Sequence, residues 1–146
     1  VRLAVSPDGK RLPAALWNYT VVLFNLQTMT EEFRLKGHKD EIFGLGFSSD
    51  GRTLATASWD STVKLWQVAS GEQLLSFRSP SGITWSVAFS PDNSMLAFGS
   101  GLVGKGEITL LRAPQSSSSS FSSSFSSIKA RQQTDNKGIR STPPQS

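Results

Sequence analysis

A short turn sequence recurs three times at a spacing of 42 residues: Ser6-Pro7-Asp8-Gly9, Ser48-Ser49-Asp50-Gly51 and Ser90-Pro91-Asp92-Asn93. A leucine follows in each copy, at Leu12, Leu54 and Leu96. A period of roughly 20–50 residues marks a repeat architecture, in which one unit buries too little apolar surface to stand alone and must stack on its neighbours. The period runs over residues 1–112, in units of about 1–35, 36–77 and 78–112.

Within a unit the signals are those of strands. In the middle unit the turn Asp50-Gly51 leads into Leu54-Ala55-Thr56-Ala57-Ser58. A polar turn at Asp60-Ser61 precedes Thr62-Val63-Lys64-Leu65-Trp66-Gln67-Val68. Ser70-Gly71 then precedes Gln73-Leu74-Leu75-Ser76-Phe77. Short apolar runs separated by tight turns every 8–12 or so residues read as an antiparallel meander, and no segment shows a helical period. The run around Leu54 is apolar on both faces, and so is the pair Leu65-Trp66. A sheet of that kind must be covered on both sides by other sheets, as in a radial stack of four-stranded sheets. The expected class is all-β.

The residues at these positions resemble a WD repeat. Gly37-His38, Ile42-Phe43-Gly44-Leu45-Gly46-Phe47, Leu54-Ala55-Thr56-Ala57-Ser58-Trp59-Asp60 and Val63-Lys64-Leu65-Trp66 follow the family pattern, with Gln67 in place of the usual Asp after Trp66. The first unit is a weaker copy, with Trp17-Asn18 aligned to Trp59-Asp60. The third begins well at Trp85-Ser86-Val87-Ala88-Phe89. It then gains three residues at 102–106 and ends in Ile108-Thr109-Leu110-Leu111. The resemblance implies about three β-propeller blades in an incomplete ring. Three blades leave two apolar sheet faces in water, more than a soluble monomer usually exposes. The chain starts at Val1 inside a repeat unit, with no initiator Met. It is therefore read as a piece of a longer propeller or as a chain that closes by association with further blades or with itself.

His38, Ser58 and Asp60 have the residue types of a hydrolase triad, but the resemblance implies something else: a buried structural tetrad of His38, Ser58, Asp60 and Trp66. A buried carboxylate needs hydrogen-bond partners, which a His and a hydroxyl supply while Trp66 donates its indole N–H. Asp60→Ala is then expected to destabilise the unit by about 1–3 kcal/mol, the cost of stranding buried polar groups. The outer units lack the set. Leu16, Asn18 and Phe24 stand in the first, and Pro80, Leu102 and Leu111 in the third.

Gly99-Ser100-Gly101-Leu102-Val103-Gly104-Lys105-Gly106 nearly spells a phosphate-binding loop. Gly106 occupies the place of the hydroxyl that binds magnesium, and a strand follows where a helix is needed. A lengthened hairpin is the expected structure. One His and no Cys cannot build a zinc site, and no metal or cofactor is expected.

The aromatics point to recognition. In the family, partners dock on one face of the disc. Carried over by position, that face places Trp17, Glu41, Phe43, Trp59, Ile83 and Trp85 as partner-binding candidates, and large aromatics are typical interface anchors. The function implied is a non-enzymatic protein–protein interaction scaffold that binds proteins or peptides. The alternative is a regulatory or sensor WD-repeat module of a larger multidomain protein whose catalytic part lies elsewhere.

Residues 113–146 differ in composition: a Ser-rich run broken by Phe121 and Phe125, then a basic stretch ending Thr142-Pro143-Pro144-Gln145-Ser146. So little apolar surface cannot offset ordering entropy, and a disordered tail is expected. The net charge of +4 lies mostly in that tail, so the repeats carry no broad field for nucleic acid. No apolar run is long enough for a membrane helix. The lack of cysteine fits a reducing intracellular compartment, cytoplasmic or nuclear.

Overall fold

The computed structural model describes residues 1–113 and, as backbone alone, residues 126–131. Among the described residues, twelve strands form three four-stranded antiparallel sheets. The first sheet holds β1 (Arg2–Leu3), β2 (Arg11–Ala15), β3 (Val21–Asn25) and β4 (Thr30–Leu35). The second holds β5 (Ile42–Phe47), β6 (Thr53–Ser58), β7 (Thr62–Gln67) and β8 (Gln73–Arg78). The third holds β9 (Thr84–Phe89), β10 (Met95–Leu102), β11 (Lys105–Arg112) and β12 (Ser126–Arg131). Each sheet is a simple meander in chain order. The described residues contain no helix long and apolar enough to cross a membrane.

The recurring turn explains its own sequence. In all three copies the Ser hydroxyl donates to the Asp carboxylate at 2.6 Å, from Ser6 to Asp8, Ser48 to Asp50 and Ser90 to Asp92. The same hydroxyl oxygen accepts the N–H that opens the next strand, from Arg11, Thr53 or Met95. The carboxylate accepts a second N–H, from Lys10, Arg52 or Ser94, at 3.0 Å. The fourth residue is left-handed, with φ of 70° at Gly9, 69° at Gly51 and 58° at Asn93. Only Gly, or a short Asn or Asp, sits there at low cost. Asn93 does more, because its side-chain carbonyl accepts the Ser49 N–H and ties the third sheet's turn to the second's. Three hydrogen bonds from Ser90 and Ser94 hold the Asp92 carboxyl down to about 2.

The second sheet is buried on both faces, as its composition requires. All six residues of β6 are buried. Leu54 and Trp66 join Ala15, Val21, Leu23 and Leu35 of the first sheet in one core. From the opposite face, Ala55, Ala57, Val63 and Leu65 join Val87, Leu96, Phe98 and Leu111 of the third sheet in another. The register between β3 and β4 shifts at Leu23/Phe24, and that between β7 and β8 shifts at Leu65/Trp66, 42 residues on. The repeat thus extends to backbone irregularities.

The near-phosphate-loop is a hairpin: Leu102 pairs with Lys105 across the turn Val103-Gly104, and strand β11 follows. The expected disorder of the tail falls, for 114–125 and 132–146, outside the described residues. At 126–131 the backbone pairs with β11 from Glu107–Arg131 to Arg112–Ser126 and supplies the third sheet with its fourth strand. The Ser-rich composition around this segment hides it from a reading by apolar runs.

Candidate functional site

Two constellations stand on the second sheet and its borders: a polar network near its core, and an aromatic cluster at one end of the inner strands.

The network runs through four side chains, and one of them differs from expectation. Trp66 Nε1–H donates to Thr56 Oγ1 at 2.9 Å, and Thr56 Oγ1 lies 2.6 Å from His38 Nε2. His38 Nδ1 lies 2.8 Å from Asp60 Oδ2. An ionised carboxylate only accepts. Nδ1 therefore carries a proton and donates to Asp60, and in the neutral ring Nε2 accepts from the Thr56 hydroxyl. Asp60 also accepts the Lys39 N–H, the Thr62 N–H and the Thr62 hydroxyl.

Thr56, and not Ser58, is the hydroxyl of this chain. Ser58 donates to the Asp40 carbonyl at 3.0 Å and accepts the Asp60 N–H at 3.1 Å. Strand register is the reason. Leu54 pairs with Trp66 and Thr56 with Lys64, so Thr56 is the diagonal neighbour of Trp66 on one face. Ser58 lies beyond the last β6–β7 pair, at Ala57–Val63, too close to the Asp60 turn to reach the indole. Period-2 alternation back from Ser58 was the available signal. The same geometry keeps Ser58 from forming a nucleophile–base pair, since both nitrogens of His38 are engaged elsewhere.

Burial alone would raise the Asp60 carboxyl. The hydrogen bonds from His38, Thr62 and Lys39 outweigh it and hold the group well below the usual carboxylate range. A group depressed in the folded state contributes stability that is complete above its unfolded value, near pH 4, and is lost as pH falls toward the folded value. Asp60→Asn is therefore expected to be less stable at neutral pH and to lose less on acidification from about pH 4 to about pH 2. Urea midpoints across that range test this; parallel curves for the two proteins would refute the role given to Asp60.

The aromatic cluster gathers Phe43 and Trp59 from the second sheet and Trp85 from the third. Phe43 and Trp59 stack at 4.6 Å with planes 10° apart. Trp85 meets both edge-on, at 5.7 Å from Phe43 and 5.3 Å from Trp59. Such offset and edge-to-face contacts are the favoured arrangements of aromatic rings. Trp85 remains 43% exposed and donates its indole N–H to the Gly101 carbonyl at 3.2 Å. Half-buried Ile83 lies just before β9, and its carbonyl accepts the Gly101 N–H.

The repeat explains the membership. Positions 1, 43 and 85 are equivalent, as are 17, 59 and 101. Both positions are aromatic only in the second unit. The first has Val1 where Phe43 stands, so Trp17 has no stacking partner among the described residues and is 72% exposed. Trp17 lies apart from the three rings but lines, with Val1, Arg2, Ala15, Leu16, Glu41, Ile42 and Phe43, a cavity of about 230 Å³ between the first two sheets. Glu41 is thus brought to the same cavity. Arg2, which the sequence did not single out, places its guanidinium 5.0 Å over the Phe43 ring, a cation–π contact. Among the described residues no cluster of three or more His, Cys, Asp or Glu could hold a metal ion.

Stacked four-stranded meanders packed face to face define a β-propeller. Residues 29–67 and 71–101 match the WD domain, G-beta repeat family, so the chain carries WD repeats on a β-propeller fold. Among solved structures, the β-propeller domain of Cps50 (Swd1) from Myceliophteria thermophila is similar, with a TM-score of 0.69 at 20% identity. The similarity covers 88% of this chain and 38% of that one, so this chain spans well under half of that domain's length. No curated protein matches the chain in sequence. The first matched repeat starts near the outer strand β4 of the first sheet and runs on through β5, β6 and β7 of the second. Each repeat in sequence therefore straddles two sheets and links them covalently.

Proposed function

We propose that this chain is a non-enzymatic protein–protein interaction platform whose docking surface is the aromatic end of the inner strands. WD-repeat propellers generally mediate protein–protein interaction. The observation that carries the reading here is the Phe43–Trp59–Trp85 cluster, which spans two sheets and leaves Trp85 partly in solvent. The cavity bearing Arg2, Trp17 and Glu41 lies directly beside it. Rigid aromatics beside a small mixed-charge cavity suit an extended peptide or a partner's loop, which gains large contact area at low entropic cost. The mechanism is presentation, with no bond made or broken.

Peptides selected from a random display library against the chain test this. They are expected to bind Trp85→Ala and Trp17→Ala at least tenfold more weakly, the usual effect of removing an interface anchor. Both side chains are exposed enough that far-UV circular dichroism should not change. Selected peptides that bind both variants as well as the parent would remove the site from this face.

A further inference from the structure

The two end sheets each carry an apolar face with no neighbouring sheet among the described residues, and the repeat says what those faces fit. On the third sheet, Leu96, Phe98 and Leu111 point into the core shared with the second sheet. By alternation, Ala97, Gly99, Ile108 and Leu110 point away. Their cross-strand pairs, Ala97–Leu110 and Gly99–Ile108, match Ala55–Leu65 and Ala57–Val63 of the second sheet. Those four equivalents are fully buried against the third sheet. The first sheet repeats the arrangement, with Ala15, Val21 and Leu23 buried against the second. One surface is thus covered twice within the chain and open once, with Ile108 44% exposed where its equivalent Val63 is fully buried.

The first sheet has the complementary set. Leu3, Val5, Leu12 and Phe24 occupy the positions of Leu45, Phe47, Leu54 and Trp66, with Leu12–Phe24 paired as Leu54–Trp66 is. In the second sheet that set packs against Ala15, Val21 and Leu23. In the first, Leu3 is 63% and Val5 56% exposed, and Leu12 and Phe24 are half-buried. Ala14 and Val22, at the centre of the same face, are already buried, so the four named residues carry any contact.

From this internal equivalence we infer that two copies of the chain pair head to tail. Leu3, Val5, Leu12 and Phe24 of one copy lie on Ala97, Gly99, Ile108 and Leu110 of the other. The fit is one the chain already makes between its own sheets. Small residues on the inner strands let the neighbour approach, and larger ones fill the outer half. Two such contacts between unlike faces close a pair into a ring. The ring has six sheets, within the range of roughly four to eight found in propellers.

Light scattering on the full 146-residue chain tests the inference. The expected species has twice the 15.8 kDa chain mass. A monomer at every concentration overturns the inference and leaves both faces to a sheet of some other chain segment. Leu3→Glu and Ile108→Glu are each expected to give monomers with unchanged far-UV circular dichroism. An equimolar mixture of the two should recover the pair, because one intact Leu3 face meets one intact Ile108 face. A single variant that stays paired would show that like faces pair in the parent, and a mixture of two monomeric variants that stays monomeric would likewise overturn the head-to-tail arrangement.

Discussion

Trp66→Ala is expected to lower the unfolding free energy by about 3–5 kcal/mol, the range for deleting a buried large aromatic. Trp66 is 2% exposed and sits in the core between the first and second sheets with Leu23, Leu35, Leu54 and Val68. Its removal opens a cavity where two sheets meet and takes away the donor that anchors Thr56. Trp66→Phe separates the two effects. It keeps most of the apolar contact and loses the N–H, while Thr56 retains its bond to His38. The expected cost is about 1 kcal/mol, the net worth of one hydrogen bond. Urea midpoints of the two variants against the parent measure both. Equal losses would mean that packing is not the larger part.

Gly44→Val should cost about 1–3 kcal/mol or more through overpacking. A Cβ at position 44 would lie 2.9 Å from the Ala57 Cβ and 3.0 Å from both the Ser86 Cα and the Val87 N. Two of these are backbone atoms of the neighbouring sheet, so the strain cannot be relieved by a rotamer change. The second and third sheets must separate. Because Gly44 adjoins Phe43, the stack with Trp59 and the edge contact with Trp85 should loosen as well. The thermal midpoint should fall together with the near-ultraviolet dichroism of the aromatic cluster. An unchanged aromatic signal would show that the cluster does not depend on how closely the two sheets approach.

These variants mark where sequence reading succeeds and where it stops. The Ser-x-Asp-Gly turns were legible because their chemistry is local: each hydroxyl and carboxylate bonds within five residues of itself. The apolar faces of β6 and β7 were legible because strand alternation is local too. Asp60 and His38 could be paired through the resemblance. The hydroxyl between His38 and Trp66 could not, because choosing Thr56 over Ser58 depends on the cross-strand register of β6 and β7. The candidates Phe43, Trp59 and Trp85 could be named. That Trp17 stands apart from them follows from Val1 occupying the position of Phe43.

By itself the sequence determined the period, the meander within each unit, the turns and the WD-repeat resemblance, since each depends on residue types at fixed short spacings. Only the tertiary structure decided what lies between units. It set the close approach at Gly44, the Asn93 bond to Ser49, the Arg2 guanidinium over Phe43, and the pairing of 126–131 with β11 in a stretch whose composition announces no strand. The physical reason is that a repeat fixes what each sheet is, whereas contacts between sheets depend on distances that no spacing along one chain encodes.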